Sequence, residues 1–207
     1  MAELIKLYEK GTDMRKINHI ISCLKDGGVI VYPTDTVYGI GCDIHNTRAV
    51  ERICQIKGVK PTKNNFSFIC YDLSHISDYA KVSNAAFKLM KKALPGPFTF
   101  VLEGNNKVPK VLAQGKKTVG VRVPDNDIPR LIVKELGNPI ITTSIPEEGG
   151  MIEYLTDPEL IFEKFQHQVD IVIDGGFCTG ELSTIVDATS DDFEVIRQGL
   201  GLLEDFL

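Results

Sequence analysis

Hydrophobic and polar positions change period several times along the chain. Leu4–Tyr8 reads as a short strand, after which Ile17, Ile20, Ile21 and Leu24 recur at three- and four-residue spacing and predict an amphipathic helix. Thr12 or Asp13 can cap that helix, and Gly27-Gly28 can end it. Val29–Tyr32 is apolar throughout, the pattern of a buried central strand covered on both faces, and Pro33 stops it. A second helix is expected from Asn46 or Thr47 to about Lys57 through Val50, Ile53 and Cys54, followed by a polar, basic stretch and a strand at Phe66–Cys70. Ser83 can cap a helix over Ala86, Phe87 and Met90, which Pro95-Gly96-Pro97 breaks ahead of the strand-like Phe98–Leu102. Further strands are expected at Thr118–Val123, Pro139–Ser144, Val169–Asp174, Ser183–Asp187 and Phe193–Arg197. Helices are expected at Ile128–Leu136 and at Pro158–Phe165, the latter with Asp157 as cap, and Pro146–Gly150 reads as a mobile loop.

Strands alternate with helices early and cluster late, which predicts an α/β fold with a twisted, mixed, open sheet and helices on its faces rather than a clean doubly wound parallel sheet. A length of 207 residues suits one domain spanning 1–207. The five cysteines are odd in number, widely spaced and never in a C-x-x-C pair, as expected of core residues in a reducing compartment. The first residues lack a signal-peptide pattern and no apolar run reaches bilayer-spanning length, so the expectation is a soluble, cytoplasmic protein with no membrane partner. A formal charge of −5 argues against indiscriminate binding of nucleic acid, and leaves room for a local basic pocket.

Three constellations could carry chemistry. In Tyr32-Pro33-Thr34-Asp35-Thr36-Val37-Tyr38-Gly39-Ile40-Gly41 a buried strand runs into a turn with two hydroxyls and a carboxylate, at the kind of strand end where α/β sheets place ligands. Equally, Pro33 and Asp35 can simply shape a turn whose glycines relieve backbone strain. Lys57-Gly58-Val59-Lys60-Pro61-Thr62-Lys63 could neutralise a polyphosphate or form a solvated loop, and it lacks the Walker order. The third set is Arg122, Thr142-Thr143-Ser144, Ser183-Thr184 and Arg197. Arg122 stands out, because an arginine inside an apolar strand must either be paired or face a cavity. The four histidines lie too far apart for zinc spacing, and no Gly-x-Ser-x-Gly elbow is present.

These motifs together resemble the YrdC/YciO family. The matching segments are the Tyr32–Gly41 strand and turn, Lys57-Gly58, Pro95-Gly96-Pro97-Phe98-Thr99-Phe100, Val121-Arg122-Val123-Pro124, Thr142-Thr143-Ser144 and Ser183-Thr184-Ile185-Val186-Asp187, in order from about residue 12 to Gly199. The resemblance implies a sheet around a central cavity and synthesis of threonylcarbamoyl-AMP and pyrophosphate from L-threonine, bicarbonate and ATP, for a tRNA modification. It also implies that Thr34, Arg122, Thr142 and Ser183 hold threonine, with Arg122 as a bidentate partner of its carboxylate. Lys57, Lys60, Ser144 and Arg197 would surround the nucleotide, with Lys57, Lys60 and Arg122 catalytic and Mg2+ carried on the phosphates.

Two departures bear on activity. Synthases of this family carry Lys-x-Arg and Ser-x-Asn where this chain reads Lys57-Gly58-Val59 and Ser144-Ile145-Pro146, a loss that implies a rate roughly tenfold to several hundredfold lower. Lys60 is the expected stand-in for the arginine. The departures resemble the YciO branch, for which the alternative expectation is a binder of tRNA or double-stranded RNA without efficient turnover.

Overall fold

The computed structural model describes residues 1–8, 13–60, 66–109, 118–145 and 153–207. Its helices begin where side-chain oxygens can meet free backbone N–H groups. Asp13, of the two expected caps, accepts from Arg15 N at the start of α1 (Met14–Lys25); Thr12 lies outside the described residues. Asn46 caps α2 (Thr47–Ile56), Ser83 caps α3 (Asn84–Ala93) and Asn126 caps α4 (Asp127–Leu136), which ends on a left-handed Gly137. The short α5 (Glu153–Thr156) leads into α6 (Pro158–Phe165), capped by Asp157 as expected. Phe87, expected on the buried face of α3, is exposed instead, and Ala86, Leu89, Met90 and Ala93 make that face.

The strands are β1 (Glu3–Lys6), β2 (Ile30–Tyr32), β3 (Gly39–Asp43), β4 (Ser67–Ile69), β5 (Ala80–Lys81), β6 (Phe98–Gly104), β7 (Thr118–Arg122), β8 (Ile140–Ser144), β9 (Ile171–Asp174), β10 (Thr184–Asp187) and β11 (Glu194–Arg197). Among the described residues they form one mixed, twisted, unclosed sheet in the order β1-β9-β2-β3-β8-β4-β7-β6-β10-β11, with β5 paired to β6. The β1–β9, β9–β2, β4–β7 and β6–β10 pairs are parallel and the others antiparallel.

Alternation along the strands splits the core in two. Ile30 and Tyr32 of β2, with Ile171 and Ile173 of β9, pack with Ile17, Ile20 and Leu24 of α1 and Ile128 and Ile132 of α4. Val31 and Val172 point the other way, into the cluster that holds α2, α3 and α6. β2 is therefore buried on both faces, as its apolar run predicted. Two strands were not legible as such: the two-residue β5, and β3, which the sequence presented as part of a glycine-relieved turn. Gly39 and Gly41 have no positive φ and sit inside a central strand. Their role is close approach: a Cβ on Gly41 would lie 2.8 Å from Ile141 O and 3.1 Å from the Tyr32 ring. The expected Pro146–Gly150 loop lies outside the described residues.

Candidate functional site

Strand register lays small residues in a row across the sheet. Gly41 faces Thr142, Thr142 faces Ser67, Ser67 faces Gly120 and Gly120 faces Val101. Gly120 makes room for Ser67, since a Cβ there would stand 2.4 Å from Ser67 Oγ. Ser67 and Thr142 of this row line a cavity of about 390 Å³, together with the strand end and turn from Tyr32 to Gly39, the Lys57–Val59 corner after α2, Arg122, the end of β8, and Ser183 and Arg197. Its lining contains three cations, Lys57, Arg122 and Arg197, and no carboxylate among the described residues.

Arg122 ends β7 with its side chain almost wholly enclosed, and Asp35 is equally enclosed beside it. Its Nη2 donates to Asp35 Oδ1 at 2.5 Å and to Thr36 Oγ1 at 2.7 Å, with Thr34 Oγ1 at 3.2 Å. Both earlier alternatives for Arg122 hold at once, because it is ion-paired and it lines the cavity. Thr34 likewise does two jobs: its hydroxyl donates to Val37 O and accepts from Thr36 N, fixing the turn while lining the cavity.

Across the cavity, Thr142 Oγ1 donates to Ile40 O and bonds to the hydroxyl of the fully buried Tyr32. Burial raises the Tyr32 phenol well above its ordinary value, so it stays protonated. Ser183 Oγ pairs with Thr99 Oγ1 at 2.9 Å, and Arg197 Nη2 donates to Ser183 O at 2.7 Å. Burial, and then the charge of Arg122, pull the Arg197 pKa down, which marks the two guanidiniums as sharing one electropositive space. Lys57, at the C-terminal end of α2, donates through Nζ to Thr143 Oγ1 at 2.9 Å and to Ser144 O at 3.1 Å; burial lowers its pKa.

The structure thus brings together Thr34, Lys57, Arg122, Thr142, Ser144, Ser183 and Arg197. Lys60 is exposed and stands off the lining, so the expected substitute for the missing arginine is not delivered to the cavity. Val59 takes a place in the wall, while Pro146 lies outside the described residues. Tyr32 and Thr143, which the sequence placed in candidate constellations without a role, also line the cavity, and Ser67 and Thr99 do so without having been singled out as site residues. For Ser67 and Thr99 the signal was available: each is a polar residue between two phenylalanines in a strand, the same anomaly that marked Arg122.

Comparison with known proteins follows the same residues. The Sua5/YciO/YrdC family model, described as "Telomere recombination", matches residues 22–199. YciO of Escherichia coli (strain K12) is 40% identical over 208 residues, covering 100% of both chains, and its crystal structure superimposes with a TM-score of 0.91. A putative threonylcarbamoyl-AMP synthase of Methanocaldococcus jannaschii is 32% identical over 203 residues, 96% of this chain and 93% of that protein. The structure of Pyrococcus abyssi Sua5 in complex with L-threonine is similar at 28% identity and a TM-score of 0.85, covering 96% of this chain and 58% of that one.

Proposed function

Since the chain belongs to the Sua5/YciO/YrdC family, we propose that its cavity joins L-threonine, bicarbonate and MgATP into threonylcarbamoyl-AMP and pyrophosphate. The observation that carries this reading is a cation-lined, carboxylate-free cavity on an acidic chain, with hydroxyls interleaved between the cations. Such a lining suits a ligand that brings a carboxylate, a hydroxyl and phosphates.

In this reading Arg122 receives the threonine carboxylate, and Thr34, Thr142 and Ser183 surround the rest of the amino acid. Bicarbonate takes up a proton and loses water to give CO2, and the uncharged threonine nitrogen attacks that carbon and gives up a proton, leaving a carbamate. A carbamate oxygen then attacks the α-phosphorus of ATP; that P–O bond forms as the bond to the β-phosphate oxygen breaks, and pyrophosphate leaves. Lys57 and Arg197 stand where they can offset the charge that develops on the phosphates. Magnesium enters this reading as part of the MgATP substrate, ligated by phosphate oxygens and water. Val59 contributes no donor to this wall, which lowers the expected turnover relative to a chain with arginine there.

The test is pyrophosphate release by purified protein from MgATP and bicarbonate, with threonine, serine, alanine or no amino acid, and Arg122→Ala as control. Threonine-dependent release that disappears in the variant supports the reading. Release independent of the amino acid, or no release by folded protein, contradicts it.

A further inference from the structure

Arg122 is more tightly committed than a free carboxylate receptor. Nη2 carries two protons and has three acceptors within reach, Asp35 Oδ1, Thr36 Oγ1 and Thr34 Oγ1. Nε is buried with no hydrogen-bond partner, so no ligand reaches it from the cavity. The two-point guanidinium–carboxylate fork expected from the sequence is therefore already spent on the protein, and a ligand carboxylate meets Arg122 at one nitrogen, Nη1. Asp35 itself does not line the cavity: its Oδ2 is buried and has no partner, behind the guanidinium.

An ion pair whose second oxygen and whose Nε–H both lie idle is poorly explained as a device for stability, because buried charges repay their desolvation only when the remaining lone pairs and protons are used. Its geometry instead fixes one edge of the guanidinium. The turn that carries Asp35 is itself held from behind, where Thr179 Oγ1 and Gly180 N both donate to Thr36 O and Cys178 Sγ donates to Thr34 O.

We propose that Asp35 is a positioning residue for amino-acid recognition: it clamps Nη2 of Arg122 so that a single N–H face is presented to the substrate carboxylate. The inference rests on the reading of the cavity as a threonine site. Loss of the clamp frees the guanidinium to rotate within the cavity and to approach the phosphate region near Arg197, so it weakens threonine and spares the nucleotide.

Calorimetric titration of full-length wild type, Asp35→Asn and Thr36→Val with threonine, threoninamide and, separately, MgATP tests this, with unfolding midpoints recorded for each protein. Wild type is expected to bind threonine and not the uncharged amide. Asp35→Asn is expected to weaken threonine roughly tenfold and to leave MgATP within about twofold. Thr36→Val removes one acceptor of Nη2 while keeping the ion pair, and is expected to weaken threonine roughly threefold. Unchanged threonine affinity in Asp35→Asn overturns the clamp and leaves the site reading standing; equal losses for threonine and MgATP overturn it too, because they report general damage. A wild-type protein that binds MgATP and no threonine overturns both the site reading and the clamp. Should Asp35→Asn fail to fold, Asp35→Glu, which keeps the negative charge and shifts its oxygens by one methylene away from their place at Nη2, decides the matter, and an unchanged threonine affinity there is the contrary result.

Discussion

At the scale of single residues, the cavity's chemistry turns on side chains whose burial and charge oppose each other. Lys57 is mostly buried with only neutral acceptors, Thr143 Oγ1 and Ser144 O, and its pKa is lowered by that burial. The unfolded chain therefore binds its proton up to a higher pH than the folded one, and stability from this group rises with pH between the lowered folded value and the ordinary lysine value. In urea unfolding at several alkaline pH values, wild type is expected to gain stability relative to Lys57→Met across that window; a constant difference contradicts the account. Charge loss also removes a phosphate partner, so turnover should fall over the same window. Val59→Arg, which puts a guanidinium into the wall beside Lys57, is expected to raise pyrophosphate release by roughly tenfold. Unaltered release in that variant removes Val59 as a limit on the proposed turnover.

The elements were largely legible from pattern. Three of the expected caps, Asp13, Ser83 and Asp157, accept from the backbone where the sequence placed them, because short polar side chains there meet N–H groups that no helix turn can satisfy. Ser83 also donates to Asp191, so Ser83→Ala should cost about 1–2 kcal/mol in chemical denaturation. β3 was not legible, since Gly39 and Gly41 carry no β-propensity and their reason for being there is the Tyr32 ring across the β2–β3 pair and the β8 residues about a hundred positions away. The same physics makes a prediction: Gly41→Ala drives a methyl against Ile141 O and should destabilise by about 1–3 kcal/mol, whereas Gly137→Ala meets only strain at its positive φ, with open space around it. The site was legible where a polar residue interrupted an apolar strand, as at Arg122. It was illegible where function depends on which side of a loop faces inward, as with Val59 in the wall and Lys60 outside it.

At the scale of the whole molecule, an acidic chain folds an open mixed sheet around a positive interior, where hydroxyls from several strands alternate with the three cations of the cavity lining. No helix among the described residues is long and apolar enough to cross a membrane. The sheet is common to YciO of Escherichia coli and to the threonine-bound Sua5 of Pyrococcus abyssi, so the difference in activity expected here belongs to a few positions of the cavity wall and not to architecture. The proposed reaction joins carbon from bicarbonate to threonine and then to adenylate in this cavity. Its most direct test is mass spectrometry of the products formed from 13C-bicarbonate, threonine and MgATP. A threonylcarbamoyl-AMP species one mass unit heavier than its unlabelled form, absent with Arg122→Ala, is the predicted result. AMP and pyrophosphate without any labelled adenylate, or intact ATP throughout, would contradict it.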